Sequence, residues 1–352
     1  MKNYKKILSV VMTAAMAASL AACGNSTANT SSTTDAAASD AAQASDAAAT
    51  ESGAGTSSDG KKYTIGICQQ LEHPALDQAT QGFEDALTEL LGSGNVTFDL
   101  QNAQGEQANC ATISNGFVAN NYDLILANAT TALQCAAAAT STIPVIGTSV
   151  TDYATALDID NWTGSTGTNV SGTADLAPID QQEDMLVELF PDAKNVGILY
   201  CSAEPNSVYQ SDVVKAELEK SGVTVSVYTF ADSNDVAAVT ATACDENDVL
   251  YIPTDNTAAS CTEAINNVAE PAGVPIIAGE EGICAGCGVA TLSINYYDLG
   301  VTTGKMAAKI LTGEANISEM PIEYFPDPVK KYNPAICEAL GITVPEDYVA
   351  ID

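Results

Sequence analysis

Two sets of alternating strands and helices follow one another along the chain, and this doubling constrains the fold more than any other feature. The short apolar runs of the two sets match in order: Ile65–Ile67 with Val196–Ile198, Leu124–Leu126 with Val249–Tyr251, and Ile143–Ile146 with Val274–Ile277. Short apolar strands that alternate with helices are typical of parallel sheets covered by helices on both faces. The pattern therefore predicts two similar α/β lobes rather than one large sheet.

The segments outside the repeat predict how the lobes are joined. Asn161–Thr173 is rich in Gly, Thr and Ser and is interpreted as a first crossover, and the late elements Val289–Asn295 and Pro321–Tyr324 are interpreted as return crossings. Several crossings form a hinge about which rigid lobes rotate. We therefore expect two Rossmann-like lobes with parallel sheets and a multi-strand hinge. The expected boundaries are 61–171 and 292–318 for the N-terminal lobe, and 172–291 and 319–352 for the C-terminal lobe.

The amino-terminal segment has the plan of a secretory signal. Three lysines among the first six residues precede an apolar stretch from Ile7 to Ala22, as in signals for export. Leu20–Cys23 resembles the bacterial lipobox, and by that resemblance Cys23 becomes the lipidated first residue of the mature protein; an ordinary cleaved signal is the alternative. Residues 24–60 are almost wholly Ser, Thr, Ala, Asp and Gly, a composition that cannot bury enough apolar surface to fold. We expect an exported protein on a disordered tether, anchored by lipid to the outer face of the cytoplasmic membrane.

The charge of the chain excludes whole classes of partner. There are 45 acidic residues against 12 lysines and no arginine, and the formal net charge is −33. Binding to nucleic acid or to anionic lipid depends on Lys and Arg that neutralise phosphates. We therefore expect no nucleic-acid partner, and phosphorylated ligands are disfavoured.

The sequence also lacks the usual signatures of metal binding and catalysis. Cys284 and Cys287 have Cys-x2-Cys spacing, but no second pair follows and His73 is the single histidine, so a zinc site is not expected. A local disulfide and the packing of two small residues both remain open for this pair. Because there is no Gly-x-Ser-x-Gly elbow and no Gly-rich phosphate loop, we expect neither a cofactor nor an enzyme.

Polar side chains follow the strands of both sets at the same end. In open α/β sheets, ligands bind at the carboxyl ends of the strands, where helix amino termini also converge. We therefore expect these side chains to face a cleft that encloses a small ligand. In the first set they are Gln69, Glu72, His73, Thr130, Thr131, Ser149, Thr151 and Asp152. In the second set they are Ser202, Glu204, Asn206, Ser207, Thr254, Asp255, Glu280 and Glu281.

Carboxylates far outnumber cations in this set, in which His73 is the one residue that can be basic, and this points to a ligand that carries an ammonium group. Asp255 or a nearby glutamate would hold the ammonium through charge-assisted hydrogen bonds. A ligand carboxylate would depend on hydroxyls and on backbone N–H groups at helix starts, because the chain has no arginine. Tyr153, Tyr209, Tyr296 and Tyr297 are candidates for stacking on a ring, with ordinary packing as the alternative.

Several blocks of the sequence resemble a known family. Gly66–Asp77, Gln101–Gly105, Pro253–Thr257, Ile277–Glu281 and Asn295–Gly300 are similar to blocks of the ABC-transporter substrate-binding lipoproteins of the tryptophan/tyrosine type, and the similarity runs from about Tyr63 to Val349. The resemblance implies a type I periplasmic-binding-protein fold that delivers a small solute, often an aromatic amino acid, to a membrane permease with a cytoplasmic ATPase. Ala174-Asp-Leu-Ala-Pro178 departs from the Ser-Asp-Leu-Thr-Pro that is common in the family.

The resemblance also implies a set of ligand-binding residues. Carried over by motif, they are Glu72, His73, Thr130, Thr131, Asp152, Asn206, Ser207, Thr254, Asp255 and Glu280. Hinge closure on an amine-bearing solute, without a chemical step, is the function that follows from residues and resemblance together. Two alternatives stay open: a ligand sensor that signals to a membrane receptor, and a binding protein for a nucleoside or a sugar.

Overall fold

The computed structural model describes residues 60–325 and 328–351. The predicted signal, the lipidation site Cys23 and all but the last residue of the predicted tether lie outside the described residues. Thirteen strands are described: β1 (Tyr63–Gln69), β2 (Val96–Asn102), β3 (Leu124–Asn128), β4 (Val145–Val150), β5 (Val170–Ala174), β6 (Asn195–Cys201), β7 (Thr224–Phe230), β8 (Val249–Ile252), β9 (Ile276–Ala278), β10 (Ala290–Ser293), β11 (Glu323–Tyr324), β12 (Val329–Tyr332) and β13 (Val349–Ala350).

Twelve α-helices are described between and after these strands. They are α1 (Pro74–Leu91), α2 (Gln107–Ala119), α3 (Thr130–Ala139), α4 (Tyr153–Ala156), α5 (Ile179–Leu189), α6 (Pro205–Lys220), α7 (Val236–Glu246), α8 (Asn256–Ser260), α9 (Thr262–Ala272), α10 (Glu281–Cys287), α11 (Tyr296–Thr312) and α12 (Pro334–Leu340). None of the helices in the described ranges is both long and apolar enough to cross a bilayer.

The strands form two sheets, one in each lobe. The first has six strands in the order β11-β5-β4-β3-β1-β2, and the second has seven in the order β13-β12-β10-β9-β8-β6-β7. Neighbouring strands are parallel except for β10 and β12, which pair antiparallel. Apolar side chains fill both faces of each sheet, in separate clusters beneath the helices. The predicted fold class, two α/β lobes with parallel sheets, is confirmed.

The chain crosses between the lobes a few residues away from the predicted positions. Val170–Ala174 is a buried strand of the first sheet, so the end of the predicted crossover belongs to the N-terminal lobe. Its small residues reflect close packing, because a Cβ on Gly172 would lie 2.1 Å from the Gly147 carbonyl oxygen. Ala290–Ser293 pairs within the second sheet, and Glu323–Tyr324 returns to the first.

Two smaller sequence interpretations are settled by the geometry. The sequence pattern predicts one helix over Asn256–Ala269, whereas the structure has two, α8 and α9, because the backbone turns at Cys261 (φ −121°, ψ 18°). Cys284 and Cys287 are buried free thiols, as are most cysteines in the described part of the chain. The pair therefore packs as small residues, and no local disulfide joins it.

Candidate functional site

A cavity of about 280 Å³ lies where strand ends of the two sheets face each other. From the N-terminal lobe and its helix α11 it is lined by His73, Leu76, Ser149, Thr151, Asp175 and Tyr296. From the C-terminal lobe it is lined by Asn206, Thr254, Asp255, Asn256, Ala259 and Glu280. Most of the lining side chains are polar, and they converge from both lobes on one place, as in a site for a small polar ligand.

Two side-chain hydrogen bonds join the lobes across this cavity. His73 Nε2 lies 3.1 Å from Asn256 Oδ1, and Gln210 Nε2 donates to Thr151 Oγ1 at 3.2 Å. Gln210 is itself held in the C-terminal lobe, because its Oε1 accepts from the Thr254 backbone N–H at 3.2 Å. The lobes are therefore in contact around the cavity.

Asp255 is surrounded by donors of its own lobe. Its Oδ1 accepts from the Ala258 N–H at 2.7 Å, and its Oδ2 accepts from the Cys201 N–H and from Ser207 Oγ, both at 2.7 Å. Burial and the neighbouring Glu204 carboxylate raise the pKa of Asp255, and the three donors oppose that rise. Since both oxygens are already engaged, the main work of this side chain is to cap α8 and to fix the loops after β6 and β8.

Asp175 is a different kind of carboxylate. It follows β5, is 5% exposed, and its side-chain partners are two hydroxyls: Tyr296 Oη donates to Oδ2 at 3.0 Å and Thr151 Oγ1 to Oδ1 at 3.4 Å. Burial raises the pKa of Asp175 to about 6, and the Glu280 carboxylate adds to the rise. Hydroxyls do not neutralise a buried charge, so Asp175 keeps the capacity to bind a cation.

His73 offers the cavity an unpaired acceptor. The Asn256 amide nitrogen donates to Glu204 Oε2 at 2.6 Å, which turns Asn256 Oδ1 towards His73 and makes His73 Nε2 the donor of their hydrogen bond. In the neutral ring, Nδ1 is then an acceptor. That nitrogen is buried and has no partner in the described structure.

Other unpaired polar atoms are found at the same place. Asn206 Nδ2 donates to the Thr254 carbonyl at 2.8 Å, so Asn206 Oδ1, which is buried and unpaired, is a second free acceptor. The Ser149 hydroxyl is also buried and unpaired, and Ser149 has a left-handed backbone with φ 54°. Buried polar groups without partners are rare in proteins. Their concentration here indicates that a ligand completes the hydrogen bonding.

Glu280 adds a third carboxylate to the cavity wall. It is 3% exposed, and its oxygens accept from the Gly282 and Ile283 N–H groups at the start of α10. Burial raises the pKa of Glu280, whereas the nearby His73 opposes the rise. No lysine lines the cavity in the described part of the chain. Its charged groups are therefore acidic, with His73 as the one side chain that can become cationic.

Two further cavities are lined by residues of both lobes. One of about 190 Å³ is bordered by Thr130, Asp152, Asn206 and Tyr209, and it shares Thr151 and Asn206 with the central cavity. The other, of about 860 Å³, lies between the loops after β1 and β2 and those after β6 and β7.

The structure distributes the sequence-predicted site residues among these places. His73, Asn206, Thr254, Asp255 and Glu280 line the central cavity. Thr130 and Asp152 line the smaller one, where Asp152 also caps α4 through the Thr155 N–H at 2.7 Å, and Thr131 lines the larger one. Ser207 is fully buried behind Asp255. Glu72 is exposed and lines none of the three cavities.

The four candidate tyrosines also separate. Tyr296 lines the central cavity and Tyr209 the smaller one. Tyr153 is a core residue, 1% exposed, with its hydroxyl on the Thr173 carbonyl. Tyr297 is exposed and bonds Asp85. Stacking against a ligand is thus wrong for Tyr153 and Tyr297, which pack elsewhere.

Sequence reasoning missed Asp175, Asn256 and Gln210. Asp175 was missed because Asn161–Thr173 was interpreted as a crossover, which hid most of β5 and the fact that an aspartate follows a strand of the first sheet. Gln210 lies in the second turn of α6, so the rule that searches loops after strands does not find it. Asn256 belongs to the Pro253–Thr257 block, and an asparagine that follows a strand and begins a helix is typical of a helix cap as much as of a ligand-binding residue.

Two α/β lobes that close over a polar cavity at their strand ends define a solute-binding protein with the type I periplasmic-binding fold. Residues 64–351 match the family model described as ABC transporter substrate binding protein, and the chain belongs to this family. Members of the family are extracytoplasmic and bind solutes rather than catalyse reactions.

Three relatives show what the chain is similar to. A tyrosine-binding protein of Clostridioides difficile (strain R20291) is 35% identical over 268 residues, which cover 75% of this chain and 77% of the relative. An ABC domain from Streptococcus pneumoniae in complex with L-Trp is 34% identical, covers 81% of this chain and 97% of its own, and has a TM-score of 0.76. A ligand-free, open substrate-binding protein with adhesive properties from Clostridium difficile is 36% identical, covers 82% and 99%, and has a TM-score of 0.63. The conformation described here is thus closer to the ligand-bound relative than to the open one.

Proposed function

We propose that the protein binds a single aromatic amino acid between its lobes and presents it to an ABC importer. The observation that carries the proposal is a set of acceptors around the central cavity: the Asp175 carboxylate, which has hydroxyl partners but no cation, and the unpaired His73 Nδ1 and Asn206 Oδ1. A ligand ammonium group provides the positive charge and the N–H donors that these acceptors lack. Relatives that bind L-Trp or are named for tyrosine support the aromatic class.

The ligand carboxylate is proposed to lie at the amino-terminal end of α3. The Thr130 and Ser149 hydroxyls are buried and unpaired there, and Ala129, just before the helix, has a strained backbone with φ 90°. Helix amino termini favour anions, because their first N–H groups are free and the helix dipole is positive there. Strained residues persist where the surrounding structure fixes them and are concentrated at functional sites.

The aromatic side chain is proposed to extend into the smaller adjoining cavity. Ala156, Pro205 and Tyr209 supply apolar and aromatic surface there. Since that cavity shares Thr151 and Asn206 with the central one, one molecule can place its ammonium beside Asp175 and its ring beside Tyr209. An offset or edge-to-face ring pair would add about 0.5–1.5 kcal/mol to the binding free energy.

Calorimetry with a panel of ligands tests this function. We expect Trp, Tyr or Phe to bind, and the desamino analogue of the best ligand, which has the same ring and carboxylate, to bind far more weakly. Arabinose, galactose and adenosine serve as controls for the other solute classes. Tight binding of one of these, with no binding of any amino acid, would refute the proposal.

Binding should also depend on pH in a defined direction. Burial raises the pKa of Asp175 to about 6, so the carboxylate is ionised above that pH and protonated below it. An ammonium ligand binds the ionised form; affinity is therefore expected to be constant above about pH 7 and to fall by up to about tenfold per pH unit below pH 6. Titration calorimetry from pH 5 to 8 measures this, and equal affinity at pH 5 and 7.5 would contradict the assignment of Asp175.

Attachment to the membrane is proposed to occur through a lipid on Cys23. In a bacterial host that processes lipoproteins, the wild-type protein should incorporate labelled palmitate and sediment with membranes. Cys23→Ser should lose the label and appear in the soluble fraction, whereas Cys261→Ser, a change at a partly exposed cysteine of the described C-terminal lobe, should behave like wild type. Retention of label by Cys23→Ser would exclude this anchor.

A further inference from the structure

Asp152 has a carboxylate oxygen that its structural role does not use. The residue follows β4 and caps α4, where its Oδ1 accepts a hydrogen bond from the Thr155 N–H at 2.7 Å. Asparagine and serine cap helices as well as aspartate does, so the cap does not account for a carboxylate at this position. In the described part of the chain, neither a hydrogen bond nor an ion pair engages the other oxygen, Oδ2.

The half-buried Asp152 side chain lies in the wall of the smaller cavity, among apolar and aromatic groups. Ala156 comes from the same lobe, and Pro205 and Tyr209 come from the opposite lobe. Burial and the Asp152 carboxylate raise the pKa of Tyr209, so the phenol keeps its proton, yet none of the hydrogen bonds among the described residues joins it to Asp152. Because the walls belong to both lobes, a ligand enclosed here displaces water from a carboxylate that lacks a protein donor.

The chemistry of the ligand ring decides whether this carboxylate is paired. The N–H of an indole and the O–H of a phenol can donate to it, whereas a phenyl ring has no donor. A hydrogen bond to a charged group is among the stronger kinds in proteins, and a buried acceptor left without a donor costs binding free energy. Sites built to pair with a polar group of the ligand therefore reject analogues that lack the group.

We propose that Asp152 selects among aromatic amino acids: its Oδ2 accepts a hydrogen bond from the N–H or O–H of the ligand ring, so an indole or a phenol binds more tightly than a phenyl ring. This inference rests on the proposed function and on the position that it gives to the ring beside Tyr209. Thr151, the neighbour of Asp152 in the chain, donates to Asp175 and lines both cavities. The ammonium site and the ring site are therefore adjacent along the backbone, and each has its own carboxylate.

Titration calorimetry with two matched ligand pairs tests the inference. Tyrosine is compared with phenylalanine, and tryptophan with 3-benzothienylalanine, in which a sulfur atom replaces the ring N–H. In at least one pair, the ligand with the donor should bind wild type about 10- to 100-fold more tightly than its partner. In Asp152→Asn, which keeps the shape and the cap oxygen, that ratio should fall by at least about fivefold, and the partner without the donor should bind at least as tightly as it binds wild type. Tryptophan should lose more affinity than tyrosine, because the new amide N–H can donate to a phenol oxygen but not to an indole N–H.

Two further variants separate the role of Asp152 from other effects. Asp160→Asn removes the same charge from an exposed position between β4 and β5, and Tyr209→Phe removes the hydroxyl of the opposite wall; both should keep the wild-type ratios. If each pair binds wild type with equal affinity, or if the ratios survive Asp152→Asn, the inference is wrong while the proposed function stands. If no aromatic amino acid binds wild type, the proposed function fails and the inference fails with it.

Discussion

Asp175→Asn is expected to weaken the binding of an aromatic amino acid by about 30- to 1,000-fold, equivalent to about 2–4 kcal/mol. The buried carboxylate has two hydroxyl partners and no cation, so a ligand ammonium would supply its missing charge. Asparagine has nearly the same shape but presents no negative charge to the ammonium. Titration calorimetry at pH 7.5 measures the change, and the pH dependence between 5 and 7 should disappear in the same variant.

Two comparisons distinguish the loss of the contact between Asp175 and the ligand ammonium from a general disruption of the binding site. Asp180→Asn removes the same charge from an exposed position in the first turn of α5 and should leave affinity unchanged. The desamino analogue should bind Asp175→Asn at least as well as wild type, because it has no ammonium to lose. Asp255→Asn, which disturbs a loop held by three donors, should instead lower the affinity for both ligands. If Asp255→Asn weakened the binding of the amino acid alone, and Asp175→Asn bound it like wild type, Asp255 and not Asp175 would be the residue that recognises the ammonium.

The contrast between these two aspartates shows what the sequence could and could not predict. Both follow a strand of a parallel sheet, and the strand-end rule places such residues near a ligand. The rule does not show whether a carboxylate is already satisfied. Asp255 meets donors from Cys201 and Ser207, which are about fifty positions away in the chain, and such long-range contacts are not encoded in a local pattern.

The helices and strands could be predicted from the sequence better than the site could, because the residues that begin and end them are neighbours in the chain. The sequence pattern predicts a helix over Pro74–Leu91 and a strand over Val249–Ile252, and the structure has both with these bounds. A proline begins the helix and a glycine follows it, whereas Asp248 and Pro253 bound the apolar strand. β5 was missed because its composition imitates a linker, although its glycine serves the close approach of two strands. Where small residues allow two backbones to approach closely, composition is thus a poor guide to secondary structure.

Close contact between the backbones of two helices, α1 and α11, leads us to expect the largest loss of stability from a single substitution. Gly300 in α11 faces α1, and a Cβ there would lie 2.0 Å from the Ala79 carbonyl oxygen and 2.8 Å from its carbon. Backbone atoms cannot rotate away as a side chain can, so Gly300→Ala must push the two helices apart. We expect the free energy of unfolding to fall by about 2–3 kcal/mol, measured by urea denaturation followed by circular dichroism.

Gly116→Ala is the matched control for this substitution. Gly116 also lies inside a helix, α2, but no atom stands within 4 Å of its added Cβ, so alanine should stabilise by about 0.5–1 kcal/mol through helix propensity alone. Because α1 begins beside His73 and α11 begins with Tyr296, the hydroxyl partner of Asp175, Gly300→Ala should also weaken ligand binding, whereas Gly116→Ala should not. Equal effects of the two substitutions on stability would mean that α1 and α11 do not pack backbone to backbone, and the positions of His73 and Tyr296 at the cavity would then need another explanation.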